Sequence, residues 1–222
     1  MAKAPERTSV PGPVFIRLLA RLTDARLPAS GPALADRLSQ WIDWSRAVAL
    51  AGALDGRLPA PAADAAAFDE DEAAECARMR RALGDAIDAA PELAASAGTA
   101  GAGDFAPFRQ RHVALQRRMQ TATGQLRGRL RDRLAAASPA GARLAAIDAV
   151  MEQTLSPREQ DLLAQVPTLL GLHFERLRGP AASGGARPWL DIFRLDMRGV
   201  LRAELDVRFL PIDALLAALR TR

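Results

Sequence analysis

Apolar residues recur at intervals of three and four along most of the chain, which is the period of an α-helix buried along one face. The longest such stripe lies between residues 104 and 137, where a continuous helix would extend for roughly 50 Å. Its members are Phe108, His112, Leu115, Met119, Ala122, Leu126, Leu130 and Leu134. No stretch alternates between apolar and polar residues as a β-strand does. The pattern therefore predicts an all-α protein, an irregular helical bundle.

Clusters of proline, glycine and small residues divide this pattern into helical regions joined by connections. The connections are predicted at residues 57–67, 94–103 and 179–187. We expect a disordered N-terminus over 1–12, N-terminal helices over 13–56, a central hairpin and bundle helices over 68–178, and C-terminal helices over 188–222. The C-terminal helices are expected to pack into the same domain as the rest.

Helix boundaries are predicted mainly from prolines and capping residues, because proline is favoured in the first turn of a helix. Ser30 is expected to cap a helix that runs to near Gly56. The segment 156–159 (SPRE) has the composition of a helix start, and Pro211 is expected to start a terminal helix. Pro167 falls inside a continuing stripe, so a kink is expected there.

Charge is distributed unevenly around the longest stripe. Eight arginines flank it, against only Asp104 and Asp132, whereas the region 69–92 is acidic at both ends. The two regions are predicted to form a long charged antiparallel helical hairpin whose charges cancel across the seam. The predicted seam consists of Met79, Leu83, Leu115, Met119 and Leu126.

The same arginines allow a second interpretation, in which an exposed basic helix follows a phosphate backbone. Neutralisation by the nearby acids is favoured, because charge runs are usually solvated helix faces. Six arginines are candidate contacts for an anion or a protein partner: Arg117, Arg118, Arg127, Arg129, Arg131 and Arg133. Nucleic-acid binding through them is expected to be weak and independent of base sequence, since no second element is shaped to read bases.

Trp41 and Trp44 lie three residues apart in the helix predicted before Gly56. Large apolar residues at helical spacing normally pack inside a bundle, and that is the favoured interpretation. The alternative is that the two indoles form a partner-binding hot spot.

No motif in the sequence indicates a catalytic or metal site. His112 and His173 are the only histidines, and each lies on an apolar stripe without ligands at metal-binding spacing. Cys76 has the pattern of a small buried hydrophobic residue. The segment 98–104 (GTAGAGD) lacks the lysine of a phosphate-binding loop. We therefore expect no metal, no cofactor and no enzymatic activity.

Composition bears on the compartment and the partner. The sequence pI is about 10.6 but the formal net charge is only +4, which argues weakly for an anionic partner. A single cysteine fits a reducing compartment. The longest apolar run, residues 47–54, is far shorter than the roughly 20 residues that span a bilayer. A cytoplasmic protein without membrane insertion is predicted.

Two blocks of the sequence, residues 105–119 (FAPFRQRHVALQRRM) and residues 155–178 (LSPREQDLLAQVPTLLGLHFERLR), resemble a family of helical bacterial proteins known as a domain of unknown function. Genes of that family tend to lie near those for MotA/TolQ-type proton-channel proteins and OmpA-like envelope proteins. The resemblance implies an accessory role beside such a complex, and it assigns no functional residues.

These observations favour a non-enzymatic accessory or adaptor protein that binds other proteins through helix faces. The alternative is a sequence-independent nucleic-acid-binding protein that uses the arginine-rich helix 104–137.

Overall fold

The computed structural model describes residues 14–23, 34–55, 70–94, 104–181 and 189–221. Eight α-helices occur in these residues: α1 Val14–Thr23, α2 Leu34–Trp41, α3 Trp44–Leu54, α4 Glu70–Asp88, α5 Ala106–Ala137, α6 Pro139–Leu163, α7 Val166–Ala181 and α8 Trp189–Arg220. A short 3-10 turn, Pro91–Leu93, follows α4. The described residues contain no strand, so the all-α prediction is confirmed.

Helix α5 lies at the centre of the bundle, with α6 and α8 packed along it and α4 and α7 adding to its cover. The residues of the predicted stripe are buried at every position but one. Ala122 is only half-buried, and the buried residue there is Thr123, whose hydroxyl donates to the Met119 carbonyl oxygen at 2.8 Å. That bond satisfies the hydroxyl inside the helix itself, so a polar residue fits in the core.

Helix α8 supplies more buried side chains than any other described helix, and it runs parallel to α5. At one end the rings of Phe108 and Phe193 are 5.2 Å apart, and farther along Gln116 donates to Glu204 at 2.9 Å. Helix α7 packs at the end near Phe108 and Phe193, where the ring of Phe105 lies against Gly171. A Cβ at Gly171 would lie 3.1 Å from that ring, which is tighter than ordinary van der Waals contact, so the ring would have to shift by a few tenths of an ångström.

Two predicted helix starts are wrong, because Pro157 lies inside α6 and Pro211 lies inside α8. An interior proline removes one helical hydrogen bond and crowds the preceding turn. Around Pro211 the continuous helix keeps Phe209, Ile212 and Leu215 on one buried face, and this packing opposes that cost. Whether a helix continues through a proline is therefore decided here by the burial of side chains and not by the proline itself.

Two other boundaries also differ from prediction. The expected kink at Pro167 is a full break, since α6 ends at Leu163 and Pro167 lies in the first turn of α7, where its missing N–H has no intrahelical partner to lose. The helix expected to run from Ser30 to near Gly56 is divided between Trp41 and Trp44. Asp43 causes this division by accepting a hydrogen bond from the Arg46 backbone N–H at 2.8 Å.

Some predictions fall outside the described part of the chain. These are the disorder of residues 1–12, the connection at 57–67 and most of the connection at 94–103. In the predicted connection at 179–187, residues 179–181 belong to α7 and the others lie outside the described residues. No described helix combines the length and apolar character needed to cross a bilayer.

Candidate functional site

The acidic and basic regions do lie side by side, in opposite directions. Ion pairs connect the first turns of α4 to the end of α5, and the turn after α4 to the beginning of α5. The pairs are Glu72–Arg133, Glu75–Arg129 at 2.5 Å and Glu92–Arg111 at 2.7 Å. Of the predicted seam residues, Met79 is half-buried and packed against the core, and the others are buried in it. The charges of Glu72, Glu75 and Glu92 therefore cancel across this contact. Asp88 at the end of α4 instead pairs with Arg198 and Arg202 of α8.

A second set of acids on α6 neutralises the other side of α5. Arg127 holds Asp148 through two hydrogen bonds of 2.7 and 2.9 Å and approaches Glu152 at 3.6 Å, and Arg131 pairs with both acids. The Arg127 side chain is only 15% exposed. Burial alone would lower the pKa of Arg127, but the hydrogen bond and charge of Asp148 raise it above its ordinary value.

Asp148 and Glu152 were not predicted from the sequence as partners of α5. Their signal was present, because they are four residues apart on α6, and the arginines that they meet, Arg127 and Arg131, are also four apart on α5. Two helices that pack antiparallel bring such pairs together one turn at a time. Arg117 and Arg118 differ from the other four candidate arginines, since both are exposed and no described residue pairs with either.

The two tryptophans have different surroundings. Trp44 is 83% exposed, so the prediction of interior packing is wrong for this residue. Val48, one turn farther along α3, is also exposed. Trp41 is half-buried, with the guanidinium carbon of Arg158 on α6 4.8 Å from the centroid of its ring. We call the exposed pair Trp44 and Val48 the α3 face.

A cleft of about 850 Å³ lies between α5, α6 and the C-terminal half of α8. Arg208 on its wall leads to a buried polar network: Glu204, fully buried, accepts hydrogen bonds from Arg208 at 2.9 Å and from Gln116 at 2.9 Å. Burial raises the pKa of Glu204, and the charge of Arg208 opposes that rise. The cleft therefore joins solvent-facing polar groups to a charged group in the core.

Both histidines are buried, in agreement with their positions on apolar stripes. His112 has no exposed surface, and neither ring nitrogen meets a partner at hydrogen-bonding geometry, since the Gln116 amide donates to Leu163 and Glu204 instead. Burial lowers the pKa of His112 to about 4, and the nearby Gln116 side chain opposes part of this fall.

His173 lies 2.8 Å from Asp196 and 2.9 Å from Arg176. Because a guanidinium can only donate, Nδ1 of His173 accepts, and its Nε2–H donates to Asp196.

Among the described residues, no group of three or more His, Cys, Asp or Glu side chains is arranged to hold a metal ion. Cys76 is buried in the core, and burial raises the pKa of its thiol, which disfavours the reactive thiolate.

The comparisons with known proteins assign a family. Residues 1–221 match the family described as Protein of unknown function (DUF3348), and the chain belongs to it. No curated protein and no solved structure matches the chain.

Proposed function

We propose that this DUF3348 protein is a non-enzymatic helical accessory or adaptor protein that binds another protein through the α3 face. The observation that carries the proposal is the 83% exposure of Trp44 on a helix whose other side already packs against α6. Tryptophan is the residue type most enriched at binding hot spots, because it offers a large apolar area with few rotatable bonds.

The α3 face has a well-defined support, which favours a binding role. Asp43 caps the helix immediately before Trp44 and also pairs with the Arg46 guanidinium at 2.7 Å. At the other end, Arg143 of α6 donates to the Leu54 carbonyl oxygen. A helix that is capped at its start and attached to α6 at its end loses less freedom on binding, so more of the contact energy contributes to affinity.

The nucleic-acid alternative has less support, because four of the six candidate arginines are already paired with carboxylates of α4 and α6. An arginine that must first break such a pair loses that interaction when it contacts a phosphate, and this loss is larger for the mostly buried Arg127 and Arg131 than for the half-exposed Arg129. Only Arg117 and Arg118 remain without a described partner. Two phosphate contacts would give a salt slope of about −1.8 and weak binding.

The identity of the protein partner is a separate part of the proposal. The family resemblance noted from the sequence makes proton-channel proteins of the MotA/TolQ type the first partners to test. The arrangement of α3 fits an accessory protein that presents an apolar helix face to such a complex, and nothing in the described residues requires a catalytic role.

The experiment measures the affinity of the purified protein for a purified partner of this type, with wild type, Trp44→Ala and Leu195→Ala compared by isothermal titration calorimetry. Leu195 on α8 is 64% exposed and serves as the matched control for loss of exposed apolar area. We expect Trp44→Ala to weaken binding by about 30-fold or more, the effect of losing a hot-spot residue, and Leu195→Ala to leave it unchanged.

Equal affinity of wild type and Trp44→Ala would contradict the role of the α3 face. A parallel titration with a random-sequence DNA duplex at low salt tests the alternative. If DNA binds and Arg117→Gln with Arg118→Gln abolishes that binding, the arginine helix is the functional surface instead.

A further inference from the structure

The walls of the cleft between α5, α6 and α8 carry opposite charges. The α5 wall contributes Arg117 and Arg127, and the α6 wall contributes Glu152 and Glu159. Of the described residues that line the cleft, no acid lies on the α5 wall and no base lies on the α6 wall. At one end the walls neutralise each other, since Arg127 approaches Glu152 at 3.6 Å.

The other end of the cleft keeps its charges apart. Arg117 has no ion-pair partner among the described residues, and Glu159 pairs only with Arg208, at the long distance of 3.6 Å. This opening thus presents, on the α5 wall, a cation that no described residue pairs with and, on the α6 wall, a carboxylate that is paired only at long distance with Arg208 of the α8 wall. A ligand that matches them carries one negative and one positive group.

Two prolines inside helices lie along the cleft. Pro157 of α6 and Pro211 of α8 both line the cleft, and a proline inside a helix offers no N–H to the carbonyl four residues earlier. The carbonyls deprived in this way belong to Gln153 and Val207, which are also lining residues. Backbone carbonyls without a helical donor favour a ligand that donates hydrogen bonds, such as an ammonium or an amide.

Glutamine side chains that line the cleft supply both hydrogen-bond donors and hydrogen-bond acceptors. Gln120 lies on the α5 wall, and Gln153 and Gln160 lie on the α6 wall. A side-chain amide carries the same donor and acceptor pair as a peptide group. A volume of about 850 Å³ lies within the range of ligand sites and exceeds what a single amino acid fills.

We propose that the cleft binds a short zwitterionic peptide, with its carboxylate at Arg117, its ammonium at Glu159, and its amide groups on the glutamines and the proline-freed carbonyls. The proposal does not depend on partner binding by the α3 face, which lies on a different helix. Its probe is therefore a small peptide added to the purified full chain, with no partner protein present.

The first measurement is a calorimetric titration with triglycine and with trialanine, compared with the same peptides blocked as N-acetyl amides. We expect saturable binding of the free peptides and binding weaker by about tenfold or more for the blocked ones, because the charged hydrogen bonds are lost. Absence of saturable binding of both free peptides at millimolar concentration overturns the proposal. Equal affinity for the blocked forms overturns it as well.

The second measurement places the ligand in the cleft. Gly124 and Gly128 both lie on α5 with open space where a Cβ would be, but only Gly124 lines the cleft. Gly124→Leu is expected to abolish triglycine binding, and Gly128→Leu, the matched control, to retain it. Arg117→Gln is expected to weaken triglycine about tenfold and to leave the blocked peptide unchanged. Binding that survives Gly124→Leu shows that the peptide lies elsewhere and overturns the assignment.

Discussion

Replacement of His112 by leucine tests whether the central helix carries a neutral histidine in an apolar core. The side chain has no exposed surface, and neither ring nitrogen has a hydrogen-bond partner. A buried polar group left without a partner costs about 1–3 kcal/mol. Leucine has a similar volume and is a better helix former. We therefore expect His112→Leu to raise the free energy of unfolding near pH 7 by about 1–3 kcal/mol.

The pH dependence gives a sharper magnitude. The ordinary pKa of histidine is 6.5, and burial lowers that of His112 to about 4. Between these two values the unfolded chain takes up a proton that the folded chain does not, so stability falls as the pH falls. At about 1.36 kcal/mol per pH unit, the wild type loses about 2 kcal/mol near pH 5 and about 3 kcal/mol near pH 4 through this residue alone.

The assay is urea unfolding followed by far-ultraviolet circular dichroism, with both proteins near pH 7 and near pH 5. The difference between the two free energies of unfolding is the quantity of interest, because other titrations, including that of Glu204 with its raised pKa, occur in both proteins and cancel. The advantage of the leucine variant is expected to grow by about 2 kcal/mol on acidification. A difference that stays constant with pH would refute a buried neutral His112.

Two further comparisons use matched positions. Asp148 is only 17% exposed, and Asp148→Asn, which breaks its pair with Arg127, is expected to lower the free energy of unfolding by about 2 kcal/mol. Asp206 is 71% exposed, and Asp206→Asn is expected to lower it by less than about 1 kcal/mol. Equal urea midpoints of the two variants would refute the expectation that the buried pair contributes more. Gly171→Ala is expected to lower the thermal midpoint because its Cβ meets the Phe105 ring, whereas Gly128→Ala, with open space, stabilises the helix by about 0.5–1 kcal/mol. A thermal midpoint raised in both variants would show that the ring can move aside.

The central helix was predictable because its signal is periodic over many turns. The stripe from Phe108 to Leu134 predicts one long buried helix, and α5 spans it without a break. The acids of α4 were also predictable as its partners, because a short connection joins the two regions in sequence. Asp148 and Glu152 were not identified because only the packing of α6 against α5 brings them to Arg127 and Arg131.

Local chemistry was ambiguous at the prolines and at Trp44. From the sequence, Pro157 and Pro211 indicate helix starts and Pro167 indicates a kink. In the structure, Pro167 is the one of these three that lies at a helix start. Proline is favoured in the first turn of a helix and destabilises its interior, so an interior proline is kept only where the burial of side chains on both sides of it offsets that cost. Trp44 and Val48 are four residues apart, and two apolar residues at this spacing lie on one side of a helix whether that side is buried or exposed. Which side of α3 meets α6 is a tertiary property that periodicity does not contain.

The order of synthesis makes the packing of α8 against α5 a late event. Gln116 and Glu204, which join these helices, are 88 positions apart. At a translation rate of about 5–20 residues per second, roughly 4–18 s separate the emergence of the two residues. During that interval the stripe of α5 lacks the helix that covers it on one side, and exposed apolar surface of this kind promotes aggregation. Slower growth or a holding chaperone during expression should therefore raise the yield of folded protein, and substitutions in the core of α8 should lower that yield more than substitutions in α1.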